Sequence, residues 1–114
     1  MNNKFIFHHR LSDWGGEVLV MESAGKAFAR TYWFNDDKKS IYFDMLSVCP
    51  ENRKNGIATE LIKMHEEMGK KSEVTASYLA VVKDSWMRRW YKRLGYKYHK
   101  RHADKNLIWM EKLL

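Results

Sequence analysis

At 114 residues, with 45% hydrophobic and 14% aromatic content, the chain reads as one domain, 1–114, able to bury a core and too apolar for disorder. No apolar run reaches membrane-spanning length, the N-terminal apolar stretch is too short for a secretion signal, and a single cysteine excludes an internal disulfide; a cytoplasmic setting is the expectation. The formal net charge of +7 favours anionic partners without naming one.

The first half reads as a strand meander. Lys4 to His8 suits an edge strand, Asp13-Trp14-Gly15-Gly16 a turn, and Glu17 to Glu22 a second strand. Ala24-Gly25-Lys26 turns the chain into a third strand, Ala27 to Phe34, and residues 35–39 form a polar turn before the fourth, at 41–48. The period then changes. Ile57, Leu61, Met64 and Met68 recur at helical spacing up to about Lys70, with Glu60, Lys63, Glu66 and Glu67 elsewhere on the wheel. Val74 to Val82 is strand-like, Ser85 to Arg93 is a short helix stopped by Gly95, and residues 96–99 and 107–110 close a hairpin. The order β-β-β-β-α-β-α-β-β predicts a mixed α/β (α+β) domain, antiparallel first, with a βαβ unit at its centre.

The segment from Val48 to Thr59 carries the most chemistry. A strand, a basic turn containing Arg53, Lys54 and Asn55, then Gly56 and a helix start is a design for holding phosphate. The first helical N–H groups lack partners within the helix and face an anion. Gly56 permits close backbone approach, and Ala58 keeps the first turn uncrowded.

Arg-x-x-Gly-x-Ala at 53–58, entered through Val-x-Pro, resembles the pyrophosphate loop of the GNAT superfamily of N-acetyltransferases. Downstream, Trp90-Tyr91-Lys92-Arg93-Leu94-Gly95-Tyr96 is similar to the aromatic-Tyr-x-x-Leu-Gly-aromatic segment ending that family's second coenzyme A-contacting helix. The resemblance covers about residues 41–98. It implies a GNAT-like mixed sheet, acetyl-coenzyme A as co-substrate, no metal, and acetyl transfer to an amine by direct attack in a ternary complex. It places the acetyl-coenzyme A contacts at Leu46, Ser47, Val48, Arg53, Lys54, Asn55, Gly56, Ile57, Ala58 and Thr59. It also implies that the strands around 46–48 and 79–82 splay apart to admit the pantetheine arm.

By the same resemblance Tyr91 is the general acid that protonates the departing thiolate; a phenol stays protonated at neutral pH and lies near a thiol in pKa. The family's common carboxylate on the strand before the loop aligns with Tyr42. Asp44, two residues on, shares its face and is the candidate for binding the amine or relaying its proton. Glu22 and Glu17 are weaker candidates. Where the family commonly has an Asn seven residues before the Tyr, contacting the pantetheine arm, this chain has Asp84, the cofactor-binding candidate there, which accepts but cannot donate a hydrogen bond when ionised. Arg88, Arg89 and Lys92 lie on or near the helix that could reach the ribose phosphate, and the sequence does not say which does; Arg89 is carried as the cofactor-binding candidate.

Other signals are plainer. His99 and His102 lack a third ligand type and read as a solvated turn, Cys49 as a small packed residue, and the Trp and Met side chains as core. The family's usual helices between its first two strands have no room here, where only about Leu11 to Gly16 is available. Apolar Trp14, Phe28 and Trp33 are then expected on an exposed face, and a homodimer is expected to wall the acceptor site. Two other functions fit parts of the chain. A nucleic-acid-binding module would use the basic, aromatic C-terminal third but leaves the 53–58 loop unexplained. A degenerate domain that binds acyl-coenzyme A without turnover would account for Asp84. The acceptor amine stays open among small amines, antibiotics, peptide N-termini and lysine side chains.

Overall fold

Among the described residues, the elements come in the expected order: β1 (Ile6–Leu11), β2 (Glu17–Ser23), β3 (Ala27–Trp33), β4 (Ser40–Val48), α1 (Ile57–Lys71), β5 (Ala76–Val82), α2 (Trp86–Arg93), β6 (Lys97–Arg101) and β7 (Leu107–Leu113). The structure is a computed structural model; it describes residues 6–11, 17–23, 27–33, 39–49 and 56–114, with backbone alone for β1, β2 and Met45. The strands form one sheet in the order β1-β2-β3-β4-β5-β7-β6. All neighbours are antiparallel except β4 and β5, which are parallel and joined through α1. Among the described residues no helix is long and apolar enough to cross a membrane.

Both helices begin and end where local chemistry requires. Gly56 precedes α1 with φ of 77°, a left-handed conformation that a side chain disfavours. Ser85 caps α2: its hydroxyl donates to the Val82 carbonyl at 2.7 Å and accepts from the Arg88 N–H at 3.4 Å. The exit of α2 is a Schellman turn. Gly95, at φ of 101°, donates its N–H to the Lys92 carbonyl at 3.0 Å, and Tyr96 donates to Tyr91 at 3.1 Å. That turn delivers the Tyr96 ring into the core, where it is fully buried.

The helices share one face of the sheet. Tyr91 of α2 and Ile57, Leu61 and Ile62 of α1 join Ala29, Phe43, Leu79, Val81, Ile108 and Met110 in a single core cluster. The buried stripe of α1 differs from the expected one. It holds His65 and Glu66 as well as Ile57, Leu61 and Ile62, while Met64 and Met68 pack only partly against the cluster. The polar pair is accommodated by a hydrogen-bonded chain. Thr31 Oγ1 meets His65 Nδ1 at 2.8 Å, His65 Nε2 meets Ser77 Oγ at 2.6 Å, and Ser77 meets the Tyr96 hydroxyl at 2.8 Å. Tyr96 donates to Glu66 at 3.3 Å, and Lys112 Nζ donates to the other Glu66 oxygen at 2.8 Å. With every member partnered, burial is tolerable.

Two irregularities shape the sheet. Arg30 pairs with Asp44 and Phe28 with Ser47, so two steps of β3 oppose three of β4 and β4 carries a bulge. Pairing of β4 with β5 covers only Ser40–Tyr42 against Ala76–Tyr78, although β4 runs to Val48 and β5 to Val82. The strands therefore part just beyond Tyr42, next to the bulge.

Candidate active site

A cleft of about 630 Å³ opens where β4 and β5 separate. Leu46, Ser47 and Val48 form one side, Gly56, Ile57, Ala58 and Thr59 the floor, and Trp86, Met87 and Trp90 the opposite wall. The strand and helix-start positions expected to meet the co-substrate thus converge. Arg53, Lys54 and Asn55 lie outside the described residues. Asp84 and Arg89 are exposed and not in the lining; Asp84 sits in the turn between β5 and α2. Arg88 is already engaged, donating from Nη1 to the Lys83 carbonyl at 3.0 Å.

The cleft floor presents donors. The first intrahelical bond of α1 is Glu60 N–H to the Gly56 carbonyl, at 3.0 Å, and among the described residues no side chain caps the helix. The N–H groups of Ile57, Ala58 and Thr59 have no hydrogen-bond partner among the described residues. Among the described residues no lining side chain is acidic. Three free N–H groups, a helix dipole and an apolar wall suit a phosphate joined to an apolar arm, which is the chemistry of an acyl-coenzyme A. Gly56 serves through its φ: a Cβ there would meet nothing within 4 Å, so space on the protein side is not what requires glycine.

The aromatic wall was not anticipated as part of the site. Trp86 is 63% exposed, contrary to the expectation that it is core. An aromatic on a short amphipathic helix reads as core unless the cleft beside it is known. Trp86 and Trp90 lie one turn apart on α2, and that spacing is the signal that assigns them to one wall.

Tyr91 lies behind Trp90, their ring centroids 4.9 Å apart, and packs edge-on to Tyr96 at 5.9 Å. It is 5% exposed. Its hydroxyl makes no hydrogen bond among the described residues, yet is not a fully sealed polar atom. Its affinity for its proton is raised, first by burial, then by the negative charge of Asp44, then by Tyr42. The Asp44 charge on β4 is thus felt at Tyr91 on α2. Asp44 is part-buried and accepts a hydrogen bond from the Tyr42 hydroxyl at 3.3 Å. Residues 42 and 44 do share a face, because the bulge lies beyond them. Burial and the Asp44 charge push Tyr42 up as well.

Arg30, Asp44's cross-strand partner, was not singled out from sequence. Its Nη1 donates to the Tyr32 hydroxyl at 3.2 Å, its guanidinium lies over the Phe28 ring at 5.5 Å, and its Nε is buried without a partner. Glu17 and Glu22 fall in β2, whose side chains lie outside the described residues. No group of three or more metal-binding side chains converges among the described residues. His102 instead stacks on Trp109 at 4.9 Å, and Cys49 is half-buried and in no disulfide.

Residues 14–98 match the acetyltransferase (GNAT) domain family. No curated protein matches the chain in sequence. Among solved structures, a GNAT family acetyltransferase from Elizabethkingia anophelis with acetyl-CoA bound superposes with TM-score 0.71 at 12% identity, over 99% of this chain and 100% of that one. An acetyltransferase from Streptococcus agalactiae gives 0.71 at 16% identity, over 87% and 67%. PaiA N-acetyltransferase from Thermoplasma acidophilum, in complex with coenzyme A, gives 0.70 at 20% identity, over 85% and 60%. These likenesses show the fold, and with the match over residues 14–98 the chain belongs to the GNAT family of acetyltransferases.

Proposed function

We propose that the protein is an N-acetyltransferase that moves an acetyl group from acetyl-coenzyme A to an amine by direct transfer in a ternary complex. The observation that carries this reading is the parting of β4 from β5 directly above the unpartnered N–H groups of Ile57, Ala58 and Thr59. Those groups suit the pyrophosphate, the apolar cleft suits the pantetheine arm, and the gap gives the thioester a route toward Asp44 and Tyr91. Relatives of the same fold that carry acetyl-CoA or coenzyme A support the choice of co-substrate.

The chemistry balances with the groups at hand. Asp44 holds the acceptor as an ammonium, which releases one proton to solvent before attack. The amine nitrogen then bonds to the thioester carbon. As the carbon–sulfur bond breaks, Tyr91 protonates the leaving thiolate, and the second amine proton returns to Tyr91 through water. The products are an amide, coenzyme A and one proton.

Calorimetry with acetyl-coenzyme A, then initial velocities against an amine series with coenzyme A release as readout, test the reading. Binding with intersecting velocity patterns is expected. Parallel patterns would show a covalent acyl-enzyme. Binding without turnover on any amine would identify a non-catalytic acyl-coenzyme A-binding domain. Thermal stabilisation by single-stranded DNA but not by acetyl-coenzyme A, at matched ionic strength, would overturn the reading in favour of nucleic acid.

A further inference from the structure

The face of the sheet opposite the helices has an ordered charge pattern. Tyr42 of β4 pairs with Tyr78 of β5, Tyr78 with Glu111 of β7, and Glu111 with Lys97 of β6, so these four share one cross-sheet row. Asp44 lies two residues from Tyr42 on the same face. Lys100 is on that face only because β6 carries an extra residue at His99: Tyr98 pairs with Met110 and Lys100 with Trp109, so one step of β7 spans two of β6. The bulge thereby adds Lys100 to Lys97 on the side of the sheet that bears Asp44.

Between the two ends the floor is aromatic. Tyr42 meets Trp109 edge-on at 5.3 Å, and Tyr78 meets His99 at 5.1 Å. Glu111 is engaged within the floor: it accepts from the Tyr78 hydroxyl at 2.6 Å and lies 3.8 Å from His99 Nδ1. Lys97 and Lys100 are exposed and make no ion pair among the described residues. Lysines on an edge strand ordinarily serve to discourage sheet-to-sheet association. That role needs no bulge to bring Lys100 onto the Asp44 side.

Resting on the acetyltransferase reading above, we propose that the acceptor is a lysine side chain in an extended, acidic polypeptide segment, its ammonium at Asp44 and its acidic residues on Lys97 and Lys100. Three strand spacings separate β4 from β6, about 14 Å at ~4.8 Å each. An extended chain advances about 3.3 Å per residue, which puts the acidic positions roughly four residues from the lysine. The lysine's four-carbon stem lets the peptide backbone stay on the sheet face while the amine enters the gap. Nucleic acid suits the two basic residues equally well but offers no aliphatic amine to attack a thioester.

The test uses N-terminally blocked peptides with one lysine and either two Glu or two Gln, four and six residues away, so that both share the lysine's face of an extended chain. The Glu peptide is expected to have about five- to tenfold higher kcat/KM at low salt, the order that two exposed ion pairs supply, shrinking as salt rises. In the Lys97→Glu/Lys100→Glu variant that ratio should fall to one or below; a general loss of activity would not move it. The variant's melting temperature and acetyl-coenzyme A affinity report whether its fold is intact. Equal rates on the two peptides, an unchanged ratio in the variant, or a small primary amine outperforming both peptides would overturn the proposal. Failure of the wild-type protein to bind acetyl-coenzyme A would instead sink the underlying reading, and this proposal with it.

Discussion

Burial has opposite consequences for Tyr91 as an acid. It keeps the phenol protonated at any physiological pH, and it also makes the proton harder to give up. Part of that reluctance comes from the Asp44 charge, which the positive charge gained by the amine nitrogen on attack offsets. Attack is thus expected to make Tyr91 a better donor at the moment it is needed. Tyr91→Phe keeps the packing against Trp90 and Tyr96 and removes the hydroxyl. Turnover should fall within the ~100- to 10,000-fold range of general acid catalysis, with acetyl-coenzyme A affinity little changed by calorimetry. Wild-type turnover where chemistry limits the rate would remove Tyr91 from the mechanism. Asp44→Asn should raise the acceptor KM about tenfold, the order of a charge-assisted contact, and affect kcat less. An effect on kcat alone would make Asp44 a base rather than an anchor. Both residues could be singled out from the sequence because each stands in or near a local motif. Arg30 was not, because it is brought to Asp44 by cross-strand register, which no local pattern encodes.

At the scale of elements, α1 is fixed at both of its jobs by residues easily misread. Gly56 is expected to permit close approach of the pyrophosphate, and its φ of 77° is a second, separate reason for glycine there. The two roles separate by substitution. Gly56→Ala should cost about 1–2 kcal/mol of stability by denaturant titration yet keep most acetyl-coenzyme A affinity. Gly56→Glu should weaken affinity about tenfold or more, because it sets a like charge beside the pyrophosphate. Unchanged affinity in the Glu variant would take the α1 start out of the site. His65, on the core-facing stripe, is fully buried, and burial holds its pKa down to about 3. The unfolded chain, near 6.5, takes up a proton that the folded chain refuses. Stability should therefore be full above about pH 6.5 and decline as pH falls toward 3, by about 2 kcal/mol at pH 5 from this residue. His65→Gln keeps hydrogen-bonding capacity without titrating, so denaturant midpoints at pH 7.5 and 5 should differ less in the variant by about that amount. The helical period of α1 was readable; its polar stripe was not, since the partners Thr31, Ser77 and Tyr96 come from three distant segments.

At the scale of the whole molecule, element order was legible because each change of hydrophobic period has its own turn or cap. Sidedness was not. That both helices lie on one face, and that bulges in β4 and β6 re-aim the residues beyond them, depends on strand pairing. This bears on the homodimer expected from exposed Trp14, Phe28 and Trp33. Trp33 packs against the core, the Arg30 guanidinium covers the Phe28 ring, and Trp14 lies outside the described residues. The proposal of a dimer rests instead on the sheet face that bears Asp44, where neither described helix packs. Such a dimer and an extended peptide would compete for the same aromatic row, since Tyr42, Trp109 and the edge lysines belong to both surfaces. Activity per protomer toward the acidic peptide should accordingly hold steady or rise on dilution, because Asp44 and Tyr91 come from one chain and dilution clears the face. Light scattering and specific activity over the same concentration series measure this. Activity lost in step with dissociation of a dimer would show that the partner completes the acceptor wall, and that the peptide does not lie across this face.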